Sequence, residues 1–392
     1  MIKSGKDVVF ASKLIREGKL VVFPTETVYG LGTNGLNAKA VAKIFEVKNR
    51  PLNDPLILHI SSIDDLYGIF KEPISPIVKR LAEKYMPGPL TIVAPRQKTI
   101  PGIVTAGLPT VAVRMPSHPI AMKLIRLAGV PVAAPSANIF GRLSPTLPKH
   151  VRSQLKKVDY MIEGAKTTLG IESTIVSVLD DTIQILRPGS INETQIQNDF
   201  PDLKVVSTYS DTKINSPGQM KSHYTPEKPL YLLDELPEDI PENVGVISIG
   251  NMEFPETIKF KTNILSRRND MDFAATNLFI ALHRFEQDPE IEKIYVLKIK
   301  EEGIGIAIMD RLKKAAYRYT FQGALAGERN EPLAHPTPQK EEKTKKDKVI
   351  KRKILRIRDK KQGNKGKIQR SMSKEQRARQ KELGKMGFDI DG

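Results

Sequence analysis

KLVVFPTETVYGLGTNGLNAKAVAKIFEVK, residues 19–48, offers two readings of the fold, and the spacing inside it chooses between them. Gly30, Gly32 and Gly35 spell G-x-G-x-x-G, the fingerprint of a dinucleotide-binding turn. A helical pattern follows, and Asp54 lies at about the right distance downstream. Such a turn must follow its strand directly, so that a pyrophosphate meets the helix N-terminus. Here the strand KLVVF ends at Phe23, and Pro24 to Tyr29 intervene before Gly30. A helix over Asp7 to Glu17, stopped by Gly18, also precedes the strand, where a dinucleotide unit begins with the strand itself. The spacing therefore argues against a nicotinamide or flavin enzyme. The glycines read instead as shaping a turn beside a pocket. PTETVYG sets two threonines and a glutamate just past a buried strand, where an α/β sheet opens onto ligands.

Working outward, strands and helices mix to about Pro201. Helices are expected over residues 37–48 with Asn37 as N-cap, 73–86 started at Ser75-Pro76, and 118–129 stopped by Gly129. Strands are expected over 55–60, 90–95, 110–114, 130–135, 173–179 and 182–188. Residues 211–229 are polar and rich in Pro and Ser, a linker pattern. A second unit follows: LYLLDEL (230–236), a strand over 243–250, a helix over 271–286, a strand over 291–299 and a helix over 306–319. That alternation predicts a small α/β domain.

Composition narrows the chemistry. The chain has 392 residues, which favours two or three units, and no cysteine, which excludes disulfides, thiolate catalysis and cysteine zinc sites. The six histidines include no H-E-x-x-H pair. No apolar run is long enough for a membrane span, and the N-terminus lacks a signal-peptide core, so a cytoplasmic chain is expected. The net charge of +17 is uneven: residues 336–392 hold 20 Lys and Arg against 8 Asp and Glu, leaving +5 for the other 335 residues. This tail lacks apolar periodicity apart from KRKILRIR. It reads as a disordered, solvated segment, with salt-sensitive contact to tRNA or other RNA as the functional alternative.

Several motifs in order carry a resemblance. Residues 19–60, PGPLTIVAP, TVAVRMPSHP, APSANIFGRLSPT, ESTIV and LRPGSI are similar to the successive signatures of the Sua5/YrdC/YwlC family of threonylcarbamoyl-AMP synthases. SPGQMKSHYTP resembles the linker of the longer, Sua5-type members, and EEGIGIAIMDRLKKAA the end of their extra domain. The resemblance implies an α/β (α+β) fold: a YrdC-like twisted mixed sheet with flanking helices, plus a smaller Rossmann-like α/β C-terminal domain. The implied division is a catalytic domain at 1–205, a linker and active-site flap at 206–229, the C-terminal domain at 230–330 and the basic tail at 331–392.

The implied activity is a nucleotidyl transfer. L-threonine, bicarbonate or CO2, and ATP give threonylcarbamoyl-AMP and pyrophosphate. A downstream complex then transfers the group to adenosine 37 of tRNAs reading codons that start with A. Such a reaction needs positioning and electrostatics rather than a nucleophilic side chain. With no Walker A motif, side chains must hold the phosphates. Lys48 and Arg50 are the catalytic candidates, although the residues alone also fit solvated charges at a helix end. By resemblance ATP falls to Arg50, Asp54, Thr110, Ser136, Ser144 and Arg187, with His223 and Tyr224 reaching it from the flap. Asn138 is added as an amide on the same loop as Ser136. Threonine falls to Thr27, His59, Arg114, Thr174 and the backbone of Ala134, with Arg114 a natural partner for a carboxylate. Mg2+ is expected on the triphosphate, ligated by phosphate and water, and no residue is assigned to a metal. Phe140 and Ser177 depart from the family pattern, which usually has Ser and Asp there. The rival class is a non-catalytic RNA-binding or ribosome-associated protein on the same fold.

Overall fold

Leu20, Val21, Val22 and Phe23 are all buried, and their side chains divide between two cores. Val21 and Phe23 pack with one set of helices and Val22 with another. This is why the stretch reads as a continuous apolar run rather than an alternating one: its sheet is covered on both faces. The computed structural model describes residues 2–179, 181–208, 223–250 and 259–325. The expected tail at 331–392 and most of the expected flap, residues 209–222, lie outside the described residues.

In the first part of the chain the strands are β1 (Ser4–Gly5), β2 (Val21–Phe23), β3 (Gly30–Asn34), β4 (Ile57–His59), β5 (Leu90–Pro95), β6 (Thr110–Arg114), β7 (Val132–Ala133), β8 (Tyr160–Ile162), β9 (Thr174–Leu179), β10 (Thr182–Arg187) and β11 (Lys204–Ser207). Among the described residues they form one mixed sheet in the order β1-β8-β2-β3-β7-β4-β6-β5-β9-β10-β11. Helices α1 (Val8–Arg16), α2 (Ala38–Lys48), α3 (Pro76–Tyr85), α4 (Pro119–Ala128), α5 (Pro148–Gln154) and α6 (Glu193–Asp199) flank it. Ala11 and Ile15 of α1 meet Leu124 and Ile125 of α4 over Val21 and Phe23. Val41, Ile44 and Phe45 of α2 and Leu81 of α3 share the other core with Val22, Leu31 and Leu58.

The second part carries β12 (Leu230–Leu233), β13 (Val244–Ser248), β14 (Lys261–Ile264) and β15 (Lys293–Leu297), all parallel in the order β12-β15-β13-β14. Helices α7 (Met271–Gln287) and α8 (Ile304–Leu325) pack on it through Leu278, Phe279, Ile308 and Leu312. Leu143 and Ile171 from the first part join this core, and both sheets lie in one compact unit, residues 1–327.

One expectation is corrected. Gly30 and Gly32 do not form a turn; they lie inside β3, antiparallel to β2. A Cβ on Gly32 would sit 2.7 Å from Phe23 Cε1 and from Val132 Cγ1, so the glycine is required by strand packing. The strand expected at 130–135 shortens to β7, and α8 runs beyond the expected 306–319 at both ends.

Candidate active site

Three local features bring separate segments to one cavity. The first is the end of α2, where Asn49 is left-handed at φ 51° and the Asn49 and Arg50 amides donate to the Glu46 and Phe45 carbonyls. Asparagine tolerates this conformation where β-branched residues do not. The reversal parts two neighbouring cations. Lys48 is fully buried, and its ammonium donates to the carbonyl oxygens of Ser136, at 2.6 Å, and Asn138. Arg50 lines the cavity, paired with Asp54 at 2.9 Å and donating to the Pro55 carbonyl at 2.7 Å.

The second is an irregularity in β10 between Ile185 and Arg187, of the kind that re-aims a strand end. Arg187 lines the cavity and donates to the Ser173 carbonyl at 2.9 Å and its hydroxyl at 3.1 Å. The third is the loop at 134–146, laid along β3. The Tyr29, Leu31 and Ala137 amides bond to the Pro145, Pro135 and Tyr29 carbonyls, which sets half-buried Ser136 at the cavity.

In and at the mouth of the cavity, open solvent included, lies about 590 Å³ of space free of protein atoms. On one side Arg114 pairs with Glu26 at 2.7 Å, donates to the Thr27 hydroxyl at 2.8 Å and to the Gly88 carbonyl at 3.2 Å. His59 stands beside it, edge-on to Phe23, with buried Nδ1 unpartnered. Burial pushes His59 down to about 3, with the Arg114 charge adding to the effect, so the ring is neutral at neutral pH. His223 and Tyr224 line the cavity together with Arg50, Arg187 and Ser136. His223 is pushed down to about 3, chiefly by burial. Burial pushes the Lys48 ammonium well below the usual lysine range, and the neighbouring Arg50 adds to this against Asp54.

Of the sequence-predicted residues, Thr27, Arg50, His59, Arg114, Ala134, Ser136, Arg187, His223 and Tyr224 come together on this cavity. Lys48, Asp54, Thr110, Asn138, Ser144 and Thr174 do not line it. Lys48 and Asp54 stand behind Arg50 and Ser136, as their contacts describe. Asn138 spends its amide N–H groups on the Ile139 and Arg142 carbonyls. The Ser144 hydroxyl donates to Glu172, and Thr174 exchanges hydrogen bonds with the Ile191 backbone. Thr110 begins β6, half-buried and paired with Pro95.

Sequence reasoning gave no role to Glu172 and Ser173, which also line the cavity, and read Glu26 only as a polar residue past the strand, where it orients Arg114. ESTIV was visible as a motif, and an acid next to a buried strand needs a cation; the cation is Arg311, 139 positions away. Burial alone would raise the Glu172 carboxyl, but Arg311 and Arg187 outweigh it and hold the group down at about 2. Phe140, a departure from the family pattern, lies beside the cavity residues: the Arg50 guanidinium is 5.8 Å from its ring centre and His223 meets it edge-on at 5.8 Å. Among the described residues no group of three or more His, Asp or Glu is placed to hold a metal ion, and no helix is long and apolar enough to cross a membrane.

The mixed α/β sheet thus gathers the cations Arg50 and Arg187 and the Glu26-backed pair Arg114 and Thr27 around one polar cavity. Two family models match: Sua5/YciO/YrdC, described as "Telomere recombination", over residues 13–189, and "Threonylcarbamoyl-AMP synthase, C-terminal domain" over residues 178–317. The threonylcarbamoyl-AMP synthase of Pyrococcus abyssi is 38% identical, over 78% of this chain and 93% of the relative. That of Bacillus subtilis is 39% identical, over 78% and 92%. The crystal structure of P. abyssi Sua5 complexed with L-threonine superposes with a TM-score of 0.72 at 35% identity, covering 81% of this chain and 98% of that one. The chain belongs to the Sua5/YrdC family of threonylcarbamoyl-AMP synthases.

Proposed function

We propose that this chain is an L-threonylcarbamoyladenylate synthase, converting L-threonine, bicarbonate or CO2, and ATP into threonylcarbamoyl-AMP and pyrophosphate. The observation that carries the reading is that one cavity is lined by both sets of groups the reaction needs. Arg114, Thr27 and His59 are suited to an amino acid with a hydroxyl: a cation for its carboxylate, and polar atoms for the rest. Arg50, Arg187 and Ser136 are suited to phosphate oxygens. The carbamate formed on the threonine nitrogen is then held against the α-phosphorus. The developing charge is met by fixed cations, while His223 and Tyr224 exclude water from the labile adenylate.

Lys48 acts from behind, by drawing the Ser136 and Asn138 carbonyls together and fixing the loop that bears Ser136. Asp54 fixes Arg50 in the same way. Any magnesium ion would arrive on the triphosphate, held by phosphate and water. The product would pass to the tRNA-modifying transfer complex, and a cytoplasmic location goes with those substrates. RNA contact by residues 336–392 belongs to this reading as an electrostatic supplement.

Pyrophosphate release from ATP tests the proposal. It should require both L-threonine and bicarbonate, fall when serine replaces threonine, and drop at least a hundredfold in Arg50→Ala. ATP turnover indifferent to threonine in a folded sample would refute it.

A further inference from the structure

We propose that Arg311, on α8, is a positioning residue that sets the nucleotide wall of the cavity from outside it; the inference rests on the ATP site proposed above. The side chain is fully buried, yet it belongs to the helix that covers the second sheet. Its Nε donates to Glu172 Oε2 at 3.0 Å, its Nη2 to the Glu172 carbonyl at 3.4 Å and its Nη1 to the Pro188 carbonyl at 2.6 Å. Nη1 also donates to Asp310 at 3.0 Å, and the guanidinium lies 5.6 Å from the Tyr224 ring centre. The two carbonyls flank the wall in sequence: Glu172 precedes Ser173, and Pro188 follows Arg187. Ser173 and Arg187 are themselves bonded to each other. One planar cation thus fixes the spacing of the two segments that present Ser173 and Arg187, and lies against the Tyr224 ring, which lines the same cavity.

Burying a guanidinium is costly unless most of its donors are used, and here the donors are spent on two carboxylates and two carbonyls rather than on a single ion pair. A lysine carries the same charge but cannot reach three acceptors in a fork. The threonine side is held independently. Arg114 takes its partners from Glu26, Thr27 and Gly88, none of which is among the groups bonded to Arg311. The arrangement makes the second unit part of the site, and it predicts an effect confined to one ligand.

The test is calorimetric binding of ATP and of L-threonine, separately, to the full chain and to Arg311→Lys, with a melting curve for each. Arg311→Lys should weaken ATP binding at least tenfold and leave threonine within twofold. If Arg311→Lys does not fold, Asp310→Asn, which loosens Arg311 without removing it, should weaken ATP at least threefold and spare threonine. Equal loss of both ligands, or a lower melting temperature with unchanged ATP affinity, would make Arg311 simple glue between the two sheets and overturn the inference. Failure of the parent chain to bind ATP would instead overturn the proposed function, and this inference with it.

Discussion

Arg114 illustrates how a functional cation is prepared. Left alone, its guanidinium would be a buried charge with two neutral partners. Glu26 supplies the countercharge at 2.7 Å, and the same carboxylate oxygen accepts the Ser117 amide at 3.1 Å. Burial works to raise the Glu26 carboxyl, but Arg114 prevails and holds it below its usual range, so it is ionised at neutral pH. Glu26→Gln keeps the shape and removes the charge. Threonine KM should rise about tenfold while ATP KM stays within twofold; a parallel rise in both would mean that Glu26 shapes the whole cavity. Phe140 is the matching case on the side proposed for the nucleotide, close to both Arg50 and His223. A partly desolvated cation–π contact contributes about 0.5–2 kcal/mol, roughly a 2- to 30-fold effect. Phe140→Ser should therefore raise ATP KM within that range in steady-state kinetics, and an unchanged KM would show the ring to be a passive neighbour.

At the scale of elements, β3 shows the tolerance of the central sheet. Gly32 faces Phe23 on one side and Val132 on the other, each at 2.7 Å from where a Cβ would stand. Overpacking of this kind costs about 1–3 kcal/mol. Gly32→Val should lower the urea midpoint clearly, while Gly102→Ala, with nothing within 4 Å, should leave it near the parent value. The same strand shows where the sequence misleads. Helices were legible because apolar spacing and caps agree: Asn37 and Ser75 cap α2 and α3 as their positions suggest. Buried strands were legible as apolar runs. GLGTN has almost no apolar periodicity, so a strand chosen for its thinness between Phe23 and Val132 looks like a turn. Short pieces such as α6 and β11 carry too few residues to show a period at all.

For the molecule as a whole, what was hidden is pairing over distance. The motifs named most of the cavity, but not that Lys48 faces backbone carbonyls or that Glu172 awaits Arg311, because burial and partner choice are properties of the assembled sheets. The same assembly buries four histidines as neutral rings. His59 and His223 lie near 3, His283 near 4 and His150 near 2, with burial the first cause in each case. His150 and His283 also stack across the two parts of the chain at 3.8 Å, and His283 Nε2 lies 3.1 Å from the Ser144 carbonyl. In the unfolded chain each ring titrates near 6.5. Between about pH 6.5 and 4 the unfolded state therefore binds protons that the folded state refuses, so stability falls as pH falls. Each such ring contributes on the order of 1.4 kcal/mol per pH unit once the unfolded form is fully protonated. Glu172 adds little above about pH 4.5; its depressed carboxyl loses its stabilising effect as pH falls from there toward about 2. The urea midpoint should drop more steeply from pH 6.5 to 5 than from pH 8 to 7, because the rings add to whatever the depressed Lys48 ammonium already contributes. His150→Gln should make that drop shallower by about one proton's worth, whatever it does to the midpoint at pH 7.5. A midpoint unchanged from pH 7 to 5 would mean that the buried rings can be protonated in place, and the stacked pair would then have to part without unfolding either sheet.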